Sequence, residues 1–195
     1  LEDVLYSSLE EYNRMTKMVS DMLFLAQADN NQLIPDRVMF DLSAEIIKVF
    51  DFFEAWAEER NITLKFNGVH CLIEGDPQMF RRAINNLLSN ALRYTPEDQA
   101  VTVSIKEQEN YFELMIENPG KPIPEEHLSR LFDRFYRVDP SRQRKGEGSG
   151  IGLAIVKSIV EAHHGRVHVE SDVRSTRFIL SVPRLEKIIN STPQS

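Results

Sequence analysis

The chain has 195 residues, 42% of them hydrophobic, enough to bury one core of about 100 to 150 residues and still carry an appendage. Its 30 acidic residues outnumber 23 basic ones and leave a net charge of −7, which argues against a nucleic-acid surface, because counterion release needs clustered Lys and Arg. The lone Cys71 cannot form an internal disulfide and fits a reducing compartment, and no apolar run approaches the ~20 residues that span a bilayer, so this segment is expected to make no membrane contact.

The chain opens at Leu1-Glu2-Asp3 with neither an initiator Met nor a signal-peptide pattern, and so reads as a piece of something longer. Leu5, Leu9, Tyr12, Thr16, Val19, Leu23 and Ala26 recur in steps of four and three, the seam of a helix that packs against another helix. One long helix over residues 1–28 follows, although an amphipathic helix lying on its own domain would show the same pattern. Asp29-Asn30-Asn31 and Pro35-Asp36 then break the chain with turn residues. The division expected is a leading helix at 1–30, a linker at 31–38, one domain over 39–184 and a tail at 185–195, in which only Leu185 to Ile189 has an apolar pattern.

Within the domain, a helix to about Arg60 should bury Ile46, Ile47, Val49, Phe50, Phe53 and Trp56, with Ser43 as its N-cap. Strands are expected at 62–66 and 71–74. Gly75-Asp76-Pro77 then opens a helix that runs to about Tyr94, with Pro at the first turn. Alternation places adjacent strands at 101–105 and 111–116, a helix at about 149–163, and strands at 166–170 and 177–182. Such a mixture makes a two-layer α/β sandwich. The stretch from Asn118 to Ser149 has only a short helical piece, and a loop that long is usually functional, here a nucleotide lid.

The chemistry concentrates in four places. On the helix ending at Tyr94, Asn86 and Asn90 lie four apart, and Arg93 and Tyr94 follow on the same side. Paired asparagines read equally as a solvated edge, but a carboxamide pair can offer neutral oxygens to a Mg²⁺ whose other ligands are phosphate and water. Arg93 offers a phosphate fork and Tyr94 a flat ring. Gly148, Gly150 and Gly152 alternate directly before a helix, which puts bare amides and a helix N-terminus where a phosphate could sit; the spacing is neither the dinucleotide fingerprint nor a P-loop. Between them come Asn118-Pro119-Gly120, whose amide could bond a purine, and the aromatic and cationic run Phe132-Asp133-Arg134-Phe135-Tyr136-Arg137. His163, His164 and His168 lack a Cys or carboxylate at ligand spacing and read as surface residues.

In this order the segments are similar to a known family. Asn86 to Thr95 resembles the N box of sensor histidine kinases, Phe132 to Arg137 their F box, and Gly148 to Leu153 their second glycine box. The resemblance spans about Phe40 to Pro183 and implies a Bergerat-type ATP-binding fold. It further implies transfer of the ATP γ-phosphoryl group to a histidine, then to an aspartate on a response regulator receiver domain. Asn86 and Asn90 would hold Mg²⁺, Arg93 would touch phosphate and Tyr94 would stack near the adenine. Asn118, Gly120, Phe135, Arg137 and Leu153 would complete the ATP site, and Gly148, Gly150 and Gly152 would let the lid fold over the phosphates. Residues 1–28 would be the second helix of the dimerisation and phosphotransfer hairpin.

Two departures stand out. The family's first glycine box begins with Asp, where this chain has Asn118-Pro119-Gly120-Lys121-Pro122, so the acceptor for the adenine amino group would be neutral and its bond weaker. None of His70, His127, His163, His164 or His168 has the sequence context of the phosphoacceptor, so no catalytic residue is identifiable and the acceptor is expected to precede Leu1. Two alternatives remain: an ATPase of the same fold, disfavoured because Asn86 stands where such enzymes carry a glutamate base, and a docking module that has lost nucleotide binding. The stretch Leu131 to Leu153 is further similar to the enterobacterial copper and silver sensor kinases and their peroxide-responding relative. That likeness implies a homodimeric parent in the bacterial inner membrane, with this segment on the cytoplasmic side; carrying half of the hairpin, the segment is expected to be mostly monomeric by itself.

Overall fold

A computed structural model describes residues 2–138 and 149–184, apart from the side chains of residues 2–7 and 10. The elements are α1 (Glu2–Asp29), β1 (Val38–Asp41), α2 (Leu42–Glu59), β2 (Thr63–Asn67), β3 (Leu72–Gly75), α3 (Pro77–Tyr94), β4 (Ala100–Glu107), β5 (Tyr111–Asn118), α4 (Glu125–Leu128), α5 (Gly152–Ala162), β6 (Arg166–Ser171) and β7 (Thr176–Pro183). Five strands form one sheet in the order β2-β4-β5-β7-β6, with β2 parallel to β4 and the remaining pairs antiparallel. The alternation read from the sequence is what the register uses: Val103 faces Ile116, and Ile116 faces Phe178, all three buried. Helices α2, α3 and α5 pack on β2, β5 and β6 and share one apolar core with them, the expected two-layer sandwich. Leu5 of the heptad seam, Gly148 and the stretch Leu185 to Ile189 fall outside the described residues or side chains.

Helix α3 organises the core. Phe80, Ala83, Ile84, Leu87, Leu88, Ala91 and Leu92 have no exposed surface. At its start, Asp76 Oδ1 accepts from the backbone N–H groups of Gln78 and Met79, satisfying two of the donors a helix leaves orphaned, and Pro77 needs no such partner. The other Asp76 oxygen accepts from the N–H of Asp36, which ties the linker to the domain. At its end, the Thr95 hydroxyl donates to the Ala91 carbonyl, and the Arg60 guanidinium, at the C-terminus of α2, donates to the carbonyls of Leu92 and Thr95.

Several local expectations are corrected. Asp41, not Ser43, caps α2: its Oδ1 accepts from the N–H of Ser43, while the Ser43 hydroxyl donates instead to the Val69 carbonyl. Asp41 is free to do so because residues 38–41, expected to be linker or lead-in, form β1 against β3. Ile47 is 45% exposed, on the outer side of α2, whereas Ile46, Val49 and Phe53 are buried. Helix α5 begins at Gly152, three residues later than expected.

His163 is the larger correction, since it is buried rather than on the surface. Its Nε2 accepts from the N–H of Asp76 at 3.0 Å, so its Nδ1 carries the proton and donates to the Ile159 carbonyl at 2.7 Å. The ring also packs on Phe80, with centroids 4.5 Å apart. The imidazole thus joins the end of α5 to the start of α3. Burial, outweighing the carbonyl of Ile159, pushes its pKa below the ordinary value of 6.5. A base whose folded pKa is depressed contributes stability that is complete above its unfolded pKa and is lost as the pH falls below about 6.5. Urea unfolding at pH 7.5 and 5.5 should show the chain weakening on acidification. His163→Asn should be about 1–3 kcal/mol less stable at pH 7.5, from loss of buried hydrogen bonds and packing, and should lose less over the same interval.

Candidate functional site

The face of α3 opposite its buried stripe forms one wall of a cavity of about 960 Å³. Asn86, Ser89, Asn90, Arg93 and Tyr94 line that wall. Because both ends of α3 are pinned and its apolar side is immobilised in the core, these polar side chains project from a rigid base. Opposite them the cavity turns apolar, with Ile123, Leu131 and Phe178, and two polar groups at the strand ends, Asn118 and Thr176, which face each other in the β5–β7 register. Asn118 is buried, and its Nδ2 donates to the Pro119 carbonyl at 3.0 Å, which leaves Oδ1 as its acceptor.

The glycines are placed by close approach. Gly152, at the start of α5, lies so near Asn86 that a Cβ there would sit 3.3 Å from Asn86 Oδ1. Gly150 has φ +71 and its carbonyl accepts from the N–H of Phe135 at 2.9 Å, so the two boxes meet through backbone. Gly120 has φ +157, and a Cβ would be 2.9 Å from the Tyr94 carbonyl.

Of the residues expected from sequence, Asn86, Asn90, Arg93, Tyr94, Asn118, Gly120, Arg137, Gly150, Gly152 and Leu153 all line this one cavity. Phe135 does not: it is 58% exposed with φ +60, and its contact with the site is the hydrogen bond to Gly150. Gly148 lies outside the described residues. Tyr136, one residue from Phe135, lines the cavity instead; its hydroxyl bonds His127 Nδ1, and the Arg130 guanidinium sits 4.2 Å from its ring centroid. The F-box pattern draws attention to the run of aromatics but does not say which ring turns inward.

Sequence reasoning also missed the contribution of α1. Asn13, Arg14, Lys17, Met18 and Asp21 line the cavity across from α3. Asp21 is buried between Lys17 Nζ at 3.1 Å and Arg82 Nη2 at 2.6 Å, and the Arg82 guanidinium lies 4.4 Å from the centroid of the Phe24 ring. Nothing in the sequence links positions 61 residues apart on two helices.

The electrostatics of the cavity are one-sided. Among the described lining residues there are five cations, Arg14, Lys17, Arg93, Lys121 and Arg137, and one carboxylate, Asp21, itself neutralised by its two partners. A polyanion with an apolar, hydrogen-bonding end matches that distribution. The only thiol, Cys71, is buried away from the cavity, and burial, with the charges of Asp41 and Glu107, pushes its pKa up to about 12, so it stays protonated.

The family model described as histidine kinase-, DNA gyrase B-, and HSP90-like ATPase matches residues 75–186, from just before α3 to beyond β7. This chain belongs to that family. The probable sensor kinase SilS of Salmonella typhimurium is 82% identical over 98% of the chain and 39% of its own length. The sensor histidine kinase CusS of Escherichia coli K12 is 66% identical over 94% of the chain and 38% of its own. The chain therefore spans about two-fifths of these curated relatives. In the solved complex of histidine kinase ThkA with response regulator protein TrrA, the kinase covers 91% of this chain at TM-score 0.72 and 22% identity, and the chain covers 49% of it, which shows a shared fold. The family model thus encloses α3, the loop after β5 and α5, and leaves α1 outside.

In this family member Gly120 should be irreplaceable on steric grounds. Gly120→Ala combines a disfavoured φ with a clash against the Tyr94 carbonyl and is expected to cost about 1–3 kcal/mol, seen as a thermal midpoint several degrees lower in calorimetry.

Proposed function

We propose that this chain is the Mg·ATP-binding catalytic segment of a sensor histidine kinase. It would present the γ-phosphoryl group of ATP to a histidine elsewhere in the parent protein, from which it passes to an aspartate of a response regulator receiver domain. The observation that carries this reading is the cavity itself: an asparagine pair on a pinned helix, facing a glycine-flanked helix start, with five cations against one neutralised carboxylate.

The residues present fit the ligand. Asn86 and Asn90 offer neutral carboxamide oxygens, and the absence of a side chain at Gly152 leaves the Asn86 amide unobstructed. A bound Mg²⁺ would neutralise phosphate charge and orient the γ-phosphoryl group. Arg93 and Arg137 bind phosphate as charge-assisted donors, and Tyr94 lies beside the purine. Asn118 Oδ1 accepts from the adenine amino group, with Ile123, Leu131, Leu153 and Phe178 around the base. Gly120 lets the loop pass close under Tyr94. Gly148, Gly150 and Gly152 give the lid its freedom, and Phe135 holds the lid's base through Gly150.

Transfer is favoured over hydrolysis because no lining carboxylate among the described residues is available as a general base: position 86 is an amide, and Asp21 is held by Lys17 and Arg82. Phosphoryl transfer needs positioning and charge neutralisation more than covalent help, which these residues supply. In the parent, α1 would be the second helix of the dimerisation and phosphotransfer hairpin. The exposure of Leu9, Tyr12, Val19 and Leu23 along its heptad seam supports this, since their own domain leaves them uncovered. A sensor-kinase parent is proposed from the likeness to SilS and CusS, and its homodimeric state, inner-membrane location with this segment on the cytoplasmic side and response to metal or oxidant stress from the resemblance of Leu131 to Leu153 to the copper and silver sensor kinases and their peroxide-responding relative. A receiver domain as partner is proposed from the likeness to ThkA, solved with its response regulator.

Calorimetric titration of a non-hydrolysable ATP analogue with Mg²⁺ should give saturable binding to this chain, and Asn90→Ala should weaken it at least about tenfold with the fold retained by circular dichroism. Absence of binding by the unsubstituted chain would sink the reading.

A further inference from the structure

We infer that α1 is part of the nucleotide site: Lys17 and Arg14 close the cavity across from the asparagine pair and contact the terminal phosphate of a nucleoside triphosphate, so that the helix distinguishes triphosphate from diphosphate. The inference rests on the nucleotide reading above and extends the site to a segment that the family match does not include.

Two contacts fix where α1 lies. Arg82 holds Asp21 at 2.6 Å and packs over Phe24, and Arg134 donates to the Leu25 carbonyl and to Asp29 Oδ1. Arg82 is one turn before Asn86 on α3, so the first contact sets α1 beside the start of the amide wall. Lys17 is one turn before Asp21, and Arg14 nearly one turn further; both line the same cavity as Asn86, Asn90 and Arg93.

The charges of these two residues are available to a ligand. Lys17 is bonded to Asp21, whose charge is already met by Arg82, and the Lys17 side chain is 69% exposed. Arg14 meets Glu11 at 3.4 Å with both side chains about half exposed, and exposed pairs of that kind contribute little. Neither residue anchors the helix, whose packing side chains are Met18, Phe24 and Leu25. A cation in a partly enclosed cavity gains most from the group that carries the most charge, which is the terminal phosphate.

The test compares a non-hydrolysable ATP analogue with ADP, each with Mg²⁺, by calorimetry on the unsubstituted chain, Arg14→Ala/Lys17→Ala, Lys17→Met, Lys17→Arg and Asn90→Ala. The double substitution should weaken the analogue about tenfold or more while ADP changes less than about threefold. Lys17→Met, which keeps the aliphatic stem, should shift the same ratio in the same direction, and Lys17→Arg should restore it. Equal weakening of both nucleotides would mean that the cations only support the helix, and no change in either would mean that they are idle; both results overturn the inference. If the chain and Lys17→Met bind alike while Asn90→Ala is impaired, this inference fails and the site reading stands. If the unsubstituted chain binds neither nucleotide, both fall.

Discussion

Helix α3 has a fully buried apolar stripe on one side and five cavity-lining residues on the other, and the clamping of its two ends makes the second a consequence of the first. Its N-terminus is held by Asp76, which also holds the linker through Asp36 and receives the ring of His163 through its own N–H. Its C-terminus is held by Arg60 reaching across from α2. A further tie runs mid-helix, where two N–H groups of Arg81 donate to Glu45 Oε2 and Lys48 meets the other oxygen; against the opposing pull of burial, these partners keep the Glu45 carboxyl below its ordinary range. With rotation and sliding of the helix both opposed, the backbone positions from which Asn86, Asn90 and Arg93 project are set by the fold, which lowers the ordering that a ligand would cost.

Neutral groups do much of the positioning in this cavity. The asparagine pair and Asn118 carry no charge, while the cations come from four different places: α1, α3, the loop after β5 and the F box. On the proposed reading a metal would share its negative ligands with the nucleotide, because Asp21, the one lining carboxylate among the described residues, is already neutralised. On that reading the metal and the polyphosphate would be mutually dependent, and no described lining carboxylate would serve as a base for water.

What was legible in the sequence was whatever depends on periodicity and local chemistry. The apolar stripe of α3, its Asp-Pro start and the alternation of β4, β5 and β7 follow from spacing that the fold preserves, and ten of the twelve residues expected from motif and resemblance line one cavity. What was not legible depends on distant partners. Ser43 has the right chemistry for a cap and lost to Asp41 because β1 brings Asp41 into reach. His163 looked like a surface histidine because the N–H of Asp76 that it satisfies lies 87 residues away. Tyr136 lines the cavity while its neighbour Phe135 is exposed and takes a left-handed φ, which no composition rule announces.

The two sides of α1 follow the same logic. A helix that only joined another helix would need one apolar seam, and Leu9, Tyr12, Val19 and Leu23 provide it, facing away from the domain. The residues between them, Arg14, Lys17, Asp21 and Phe24, instead meet the cavity and α3. The polar side of a helix in a bundle would be expected to face water, and here it is consumed by a second surface through a buried carboxylate and contacts from Arg82 of α3 and Arg134 of the loop before α5. Without those contacts Asp21 would lose its burial and the cavity would lose the wall that α1 supplies.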